Sequence, residues 1–321
     1  MKTKLLELLE DANRTYRSGQ EISDHLNVSR TAVWKHIESL RQEGYGIEAV
    51  PRRGYRLVSR PNTLNESEVR KGLKTKHIGQ TVRYEPVVSS TQDVMKEWYK
   101  QGAVHGAVVT TEEQTSGRGR MSRPWQAPQS KGIMFSLLVT PHLPLHTAPQ
   151  LTLVTAVAVA KACEKVANVS VSIKWPNDLY IGSKKIAGIL TEVQAEGSRV
   201  EMMVAGIGLN VNETTQEMVE RGLEQKASSL YIETKQSWNR KQLLQAIFSE
   251  FELEYERWIK EGFQSIRNEW ERRALLYGQT VTVTDQHRVV KGKMVGITDD
   301  GVLKLEDETG VERLIYSGDL Q

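Results

Sequence analysis

Residues 45–58, reading YGIEAVPRRGYRLV, constrain the fold most tightly. Two short β-prone runs meet at Pro51, Arg52, Arg53 and Gly54, the signature of a hairpin. The text before it says what the hairpin belongs to. Leu5, Leu8, Leu9 and Ala12 recur at helical spacing, Ser18 and Gly19 interrupt, and Ile22 and Leu26 begin a second apolar stripe. After a turn at Asn27 and Val28, Ser29 can cap a third helix whose Val33, Ile37 and Leu40 face inward. Thr31 and Lys35 then lie on the opposite side, flanked by Arg30 and Trp34. Short helices joined by a tight turn and followed by a basic hairpin predict a winged helix-turn-helix that binds DNA. Ser29, Arg30, Thr31 and Lys35 would enter a groove, and Arg52, Arg53 and Arg56 would track phosphates. A winged helix kept for protein contacts is the other use of such a module.

From Arg30 to Arg60 there are seven basic residues against three acidic ones, whereas the whole chain of 321 residues carries a net charge of only +3. The DNA reading therefore rests on where the charge sits and not on its total. A single cysteine, Cys163, excludes an internal disulfide, and its setting among alanines and valines makes it a small buried hydrophobe. That composition fits a reducing cytoplasm. The N-terminal MKTKLLELLEDANR lacks a signal-peptide core, and the most apolar run, Leu151 to Ala160, is far short of the roughly 20 residues of a spanning helix. A soluble cytoplasmic protein with no membrane partner is expected.

Pro61, Asn62 and Thr63 break the first pattern. The expected division is a winged helix-turn-helix over 1–62, a catalytic body over 63–274 and a small barrel over 275–321. In the body, strands are expected over 104–111, 132–140, 173–180, 186–193 and 200–211, and helices over 149–167 and 240–260. Beyond Tyr277 short strands alternate with turns at Asp285 and Gln286, at Asp299 to Gly301, and at Thr309 and Gly310, which predicts a small β-barrel. The fold class is α+β.

Common catalytic patterns are missing. There is no GxxxxGK[ST] loop, CxxC pair or HExxH, and Pro141 and Pro144 forbid the helix that would align His142 with His146, so no protein metal site is predicted. Two clusters remain. Gln114 to Trp125, QTSGRGRMSRPW, places Arg118, Arg120 and Arg123 beside Gly117 and Gly119, which allow left-handed angles and close approach to a ligand; such a loop needs an anion to order it. A solvated loop or an RGG-like tract is the bland alternative. Lys174 to Leu190, KWPNDLYIGSKKIAGIL, has Pro176 holding Trp175 extended, a turn at Asn177 and Asp178, and Gly182 and Ser183 closing a hairpin. Lys184 and Lys185 face opposite ways by alternation, and periodicity does not choose between them.

SSTQD (89–93), QTSGRGR (114–120), KWPND (174–178), KKIAGIL (184–190) and GIGLNVN (206–212), in this order, resemble the biotin-protein ligases. With SRTAVWKHI and RRGYRL before them and the barrel after, the chain is similar to the bifunctional ligases that also repress the biotin operon. The resemblance implies a central mixed-sheet ligase domain, a C-terminal SH3-like β-barrel and biotin-[acetyl-CoA-carboxylase] ligase activity. Biotin and ATP with Mg²⁺ would form biotinyl-5′-adenylate, and a lysine of a biotin carboxyl carrier domain would accept the biotin. It further implies a homodimer when adenylate-bound, and operator DNA as partner. Ser90, Thr91, Gln92, Gln114 and Gly188 would line the biotin pocket, with backbone at Arg118 and the Lys185 side chain at the carboxyl end. Arg120 and Arg123 would meet the phosphates, with Gly117 and Gly119 shaping the loop, and Trp125, Asn177 and Asn210 would lie towards the nucleotide. Asp178 would orient either the incoming lysine or the metal. Where the family often has another basic residue, Met121 and Ser122 stand. A lipoate-type acyl ligase and a ligand-sensing repressor without ligase activity are the alternatives.

Overall fold

The computed structural model describes residues 1–11, 15–284 and 289–320; Ala12 and the turn expected at Asp285 and Gln286 lie outside the described residues. The chain forms two compact units, Met1–Thr63 and Leu64–Gln321. In the first, α1 (Lys2–Asp11), α2 (Gly19–Leu26) and α3 (Arg30–Gln42) precede a two-stranded wing, β1 (Gly46–Val50) and β2 (Gly54–Ser59). Ser18 and Glu21 form a capping box on α2, and Ser29 accepts the Ala32 amide to cap α3. Leu5, Leu6, Leu9, Ile22, Val33, Ile37 and Leu40 are buried together as the core. At the wing tip Arg52 takes a left-handed φ of 64° between Val50 and Gly54, which pair across the turn.

The second unit begins with α4 (Glu66–Arg70), β3 (Val82–Val88), α5 (Thr91–Lys100), β4 (Val108–Gln114), β5 (Ile133–Val139) and α6 (Ala148–Ala167). There follow β6 (Ser172–Lys174), β7 (Asp178–Ile181), β8 (Lys184–Glu196), β9 (Arg199–Leu209), α7 (Thr215–Glu220), α8 (Leu230–Thr234), α9 (Arg240–Glu261) and α10 (Gln264–Glu271). The mixed sheet has the order β3-β4-β5-β9-β8-β7-β6, with only β3 and β4 parallel. Helix α6 is apolar nearly all round because it packs between this sheet and α9. Strand alternation sorts the two faces: Phe135, Met203, Ala205 and Ile207 join the α6 core, while Met95 of α5 packs with Leu138, Met202 and Val204 on the other face.

One expected strand is two. Residues 172–174 and 178–181 form an antiparallel pair in which Lys174 faces Asp178, and the reversal at 175–177 contains a cis Trp175–Pro176 peptide rather than an extended run. Residues 82–88 and 91–100, outside every expected element, carry β3 and α5. The chain ends in an antiparallel sheet of β10 (Thr280–Thr284), β11 (Val289–Ile297), β12 (Leu303–Glu306), β13 (Glu312–Ile315) and β14 (Asp319–Leu320), ordered β13-β12-β11-β10-β14. Among the described residues no helix is long and apolar enough to cross a membrane.

Candidate functional site

A pocket opens on the α5 face of the sheet, and its floor exists because two strands give up side chains. Alternation sends residues 206 and 208 of β9 and 188 of β8 to that face, and all three are glycine. A Cβ at Gly208 would lie 2.2 Å from the Trp125 ring, and one at Gly206 would lie 2.7 Å from Gln92 Nε2. Glycine inside a strand here marks close approach, so Trp125 and Gln92 can lie flat on the backbone.

The first turn of α5 forms one wall. Gln114 Oε1 accepts from the Thr91 amide at 2.9 Å and its hydroxyl at 3.2 Å, and the Ser136 hydroxyl donates to Thr91 Oγ1 at 2.8 Å. Gln92 donates through Nε2 to Leu190 O at 2.9 Å. Its Oε1 is buried with no hydrogen-bond partner among the described residues, and Ser90 stands beside it on the pocket wall.

Lys185 reaches the pocket through a break in the ladder. Leu179 pairs with Ala187 but Tyr180 pairs with Lys185, so Ile186 is the extra residue of a bulge. The bulge resets alternation and puts Lys185 on the same face as Gly188. Its backbone leaves the β8–β9 pairing for Lys226 O (3.0 Å) and Ser228 N (2.8 Å). Its Nζ is ion-paired to Asp178 Oδ1 at 2.7 Å, out of line for a full hydrogen bond, and stands 5.5 Å from the centre of the Trp125 ring. Lys184 is not among the residues lining the pocket.

The loop from Thr115 to Trp125 covers the pocket. The Gly119 amide donates to Arg123 O at 2.7 Å and the Trp125 amide to Gly117 O at 2.8 Å, giving a small closed turn. Its left-handed residues are Met121 (φ 54°) and Ser122 (φ 57°), not the expected Gly117 and Gly119. Gly117 is needed for space instead, since a Cβ there would meet Trp125 O at 2.4 Å. The guanidinium of Arg118 does not point at the pocket as an anion fork; it is bidentate to Asp93, while its backbone bridges to Pro124. Burial holds Arg120 below the usual arginine range, with Asp319 and Asp178 opposing, and its Nη1 makes only long contacts to Asn177 Oδ1 (3.4 Å) and Gly318 O (3.5 Å). Arg123 pairs with Asp319 of β14, so the last strand of the chain contributes to the pocket.

Of the residues expected here, Ser90, Thr91, Gln92, Gln114, Arg118 and Gly119 line the pocket, as do Arg120, Arg123, Trp125, Asn177, Asp178, Lys185 and Gly188. Gly117, within the loop, does not line the pocket, and neither does Asn210, which donates to Ser228 O at 2.9 Å. Gly206, Gly208, Leu190 and Asp319 line it without having been expected. A glycine alternation in an apolar strand is a readable signal for the first two; nothing local marks Asp319.

In the first unit, Arg30, Thr31, Trp34 and Arg52 line a groove between α3 and the wing, and Lys35 is exposed on α3. Arg53 and Arg56 have a folding role that the sequence did not disclose. Their guanidinium carbons lie 4.5 and 4.9 Å from the centre of the Tyr16 ring, and Arg56 also donates to Glu48 at 2.6 Å.

The sequence matches the family models described as Biotin/lipoate A/B protein ligase family over residues 84–210, HTH domain over 2–56 and Biotin protein ligase C terminal domain over 276–321. It is 44% identical over 321 residues to the Bifunctional ligase/repressor BirA of Bacillus spizizenii, covering 100% of this chain and 98% of that one. The protein of the same name from Escherichia coli is 28% identical over 305 residues, 95% and 92% of the two chains. A biotin protein ligase from Aquifex aeolicus, solved in complex with biotin and ATP, matches with a TM-score of 0.66 at 29% identity, covering 75% of this chain and 98% of that one. With a helix-turn-helix unit ahead of a glycine-floored pocket and a small sheet closing it, the chain belongs to the biotin/lipoate A/B protein ligase family, among its bifunctional ligase/repressors.

Proposed function

We propose that this chain is an ATP-dependent biotin-protein ligase, a biotin-[acetyl-CoA-carboxylase] ligase, that also acts as a biotin-responsive repressor in the cytoplasm. The observation that carries the reading is convergence: motifs scattered over residues 89–212 line one pocket, together with Arg120, Arg123 and Lys185. In the first step a carboxylate oxygen of biotin bonds to the α-phosphorus of ATP, and pyrophosphate leaves with the electrons of the broken P–O bond. In the second, a carrier lysine amine bonds to the acyl carbon, loses a proton, and AMP leaves. Neither step requires a protein nucleophile; the site has to hold two anions together and keep water off the mixed anhydride.

The residues suit that task. Because Gln92 gives its N–H to Leu190, Oε1 is left to accept an N–H, which the ureido ring supplies. Ser90, Thr91 and Gln114 would complete that end, over the space left by Gly188. Lys185 and the Arg118 backbone would meet the carboxylate, and Arg120 and Arg123 the phosphates, Arg123 exchanging Asp319 for ligand oxygen. Trp125 and Asn177 would lie towards the nucleotide, and Asn210, Gly117 and Gly119 would shape the backbone around it. Among the described residues no cluster of three or more His, Cys, Asp or Glu could hold a metal alone. Mg²⁺ would enter on the phosphates of ATP, with Asp178 and Asp319 as the available carboxylates. Asp178 would serve either that ion or the carrier lysine.

The division 1–62, 63–274 and 275–321 assigns DNA binding, catalysis and carrier docking to successive parts. Strand β8 runs to Glu196 although β7 pairs with it only through Gly188, so its outer edge beyond Ile189 is unpaired among the described residues. Such an edge suits strand addition by a second copy of the chain. A dimer formed on adenylate binding would present two winged helices to a two-fold operator. Biotin-dependent exchange between pyrophosphate and ATP tests the ligase reading. Exchange with biotin that lipoate does not compete away supports it; exchange driven by lipoate, or none, overturns it.

A further inference from the structure

Arg118 belongs to a ring with three charged groups that do not line the pocket. Its Nη1 lies 2.8 Å from Asp93 Oδ2 and its Nη2 2.7 Å from Asp93 Oδ1. One turn further along α5, Lys96 Nζ lies 3.2 Å from Asp93 Oδ1 and 2.9 Å from Glu192 Oε2 on β8. Glu192 closes the ring at 3.9 Å from Arg118 Nη2. The four side chains alternate in sign, and each is between 31% and 40% exposed. An isolated surface pair is worth little, but a bidentate arginine–carboxylate pair inside a network is the exception.

Asp93 and Lys96 hold their charges at working pH. The Arg118 hydrogen bonds hold the Asp93 carboxyl down at about 2. Burial works against the Lys96 charge, yet the adjoining Glu192 and Asp93 carboxylates outweigh it and raise its pKa. Position gives the ring its consequence. Arg118 lines the pocket and its backbone bridges to Pro124, so fixing its side chain fixes the root of the covering loop. Two backbone bonds hold the turn itself: Gly119 to Arg123 lies beyond that root, and Trp125 to Gly117 brackets it, so neither ties the turn to α5 or β8.

We propose that Asp93, Lys96 and Glu192 are positioning residues that hold the loop closed through Arg118 and thereby set how slowly the activated acyl-adenylate escapes. The role rests on the ligase reading above and adds to it a retention device outside the pocket. An escaped acyl-adenylate acylates bystander amines, so retention decides whether the second step is specific for the carrier.

The test uses the full chain, loaded with adenylate made in place from biotin and ATP with Mg²⁺. Release is followed as free adenylate and as biotin appearing on a bystander protein; synthesis is followed as the first-turnover pyrophosphate. Losing a charge-assisted pair should speed release from Asp93→Asn by roughly tenfold or more, with synthesis within about twofold of wild type. Asp93→Glu should recover part of the retention. Raising salt from about 0.05 to about 0.5 M should speed wild-type release by several-fold and have little effect on Asp93→Asn, because half-exposed charges are screened. A purely structural role would lower the melting temperature without that salt signature. Wild-type release rates in Asp93→Asn, or a wild type indifferent to salt, overturn the positioning role while leaving the ligase reading intact. If Asp93→Asn does not fold, Glu192→Gln and the wild-type salt series decide the matter. A wild-type chain that forms no adenylate overturns the reading beneath the proposal and the proposal with it.

Discussion

Glu213, just past β9, is fully buried, and neither of its carboxyl oxygens has a hydrogen-bond partner among the described residues. Burial pushes its pKa from 4.5 up to about 7. The folded state therefore binds one more proton than the unfolded state between those values, so its contribution to stability is full below about pH 4.5 and is lost as pH rises to about 7. Glu213→Gln keeps the shape without the charge. Its advantage over wild type should be small at pH 5 and grow to the order of 3 kcal/mol by pH 8. Melting temperatures of both proteins across that range check this; a gap that does not widen with pH contradicts it. Individual residues were also where the sequence was hardest to read. The choice between Lys184 and Lys185 depends on a bulge at Ile186, and a bulge leaves no mark on hydrophobic periodicity. The arginines of QTSGRGR look alike in the sequence, yet tertiary partners send Arg118 to Asp93 and Arg123 to Asp319 and leave Arg120 with long contacts.

Elements were more legible than residues where burial is two-sided and long. Helix α6 and strands β5 and β9 fall within a few residues of expectation because their apolar runs are continuous, and α9 does so because its apolar residues recur at helical spacing over 22 residues. Strand β3 was missed because its residues are half exposed at the sheet edge, so the run VRYEPVV carries no clean alternation. The floor of the pocket is a property of strands rather than of single residues: Gly188, Gly206 and Gly208 form one patch across β8 and β9, and Trp125 rests on it. Gly208→Ala should displace that ring and raise the KM for biotin and ATP by at least about tenfold, the scale of one lost well-packed contact. The melting temperature should change little. Steady-state kinetics with each substrate varied in turn would show it, and an unchanged KM would mean the ring does not define the pocket.

At the level of the whole molecule, the chain joins a winged helix to a ligase body, and the proposed reading links them through a ligand that one makes and the other responds to. Affinity of the first unit for DNA should be mostly electrostatic, with Arg52 contributing from the exposed wing tip. Arg52→Ala should weaken binding to every DNA sequence alike and reduce the slope of log K against log salt by about 1. Arg53→Ala should also lower the stability of the unit, because Arg53 covers Tyr16; fluorescence anisotropy and thermal melting separate the two effects. A pocket that activates biotin and passes it to one lysine leaves a mark on the mass of the acceptor. Intact-mass spectrometry of a biotin carrier domain, incubated with the full chain, biotin, ATP and Mg²⁺, tests it most directly, with Lys185→Ala and a reaction lacking ATP alongside. A single biotin-sized mass increase is expected with wild type, absent without ATP and slowed at least about a hundredfold by loss of the Lys185 charge from the site. An unmodified carrier with wild type, or modification that proceeds without ATP, would contradict it.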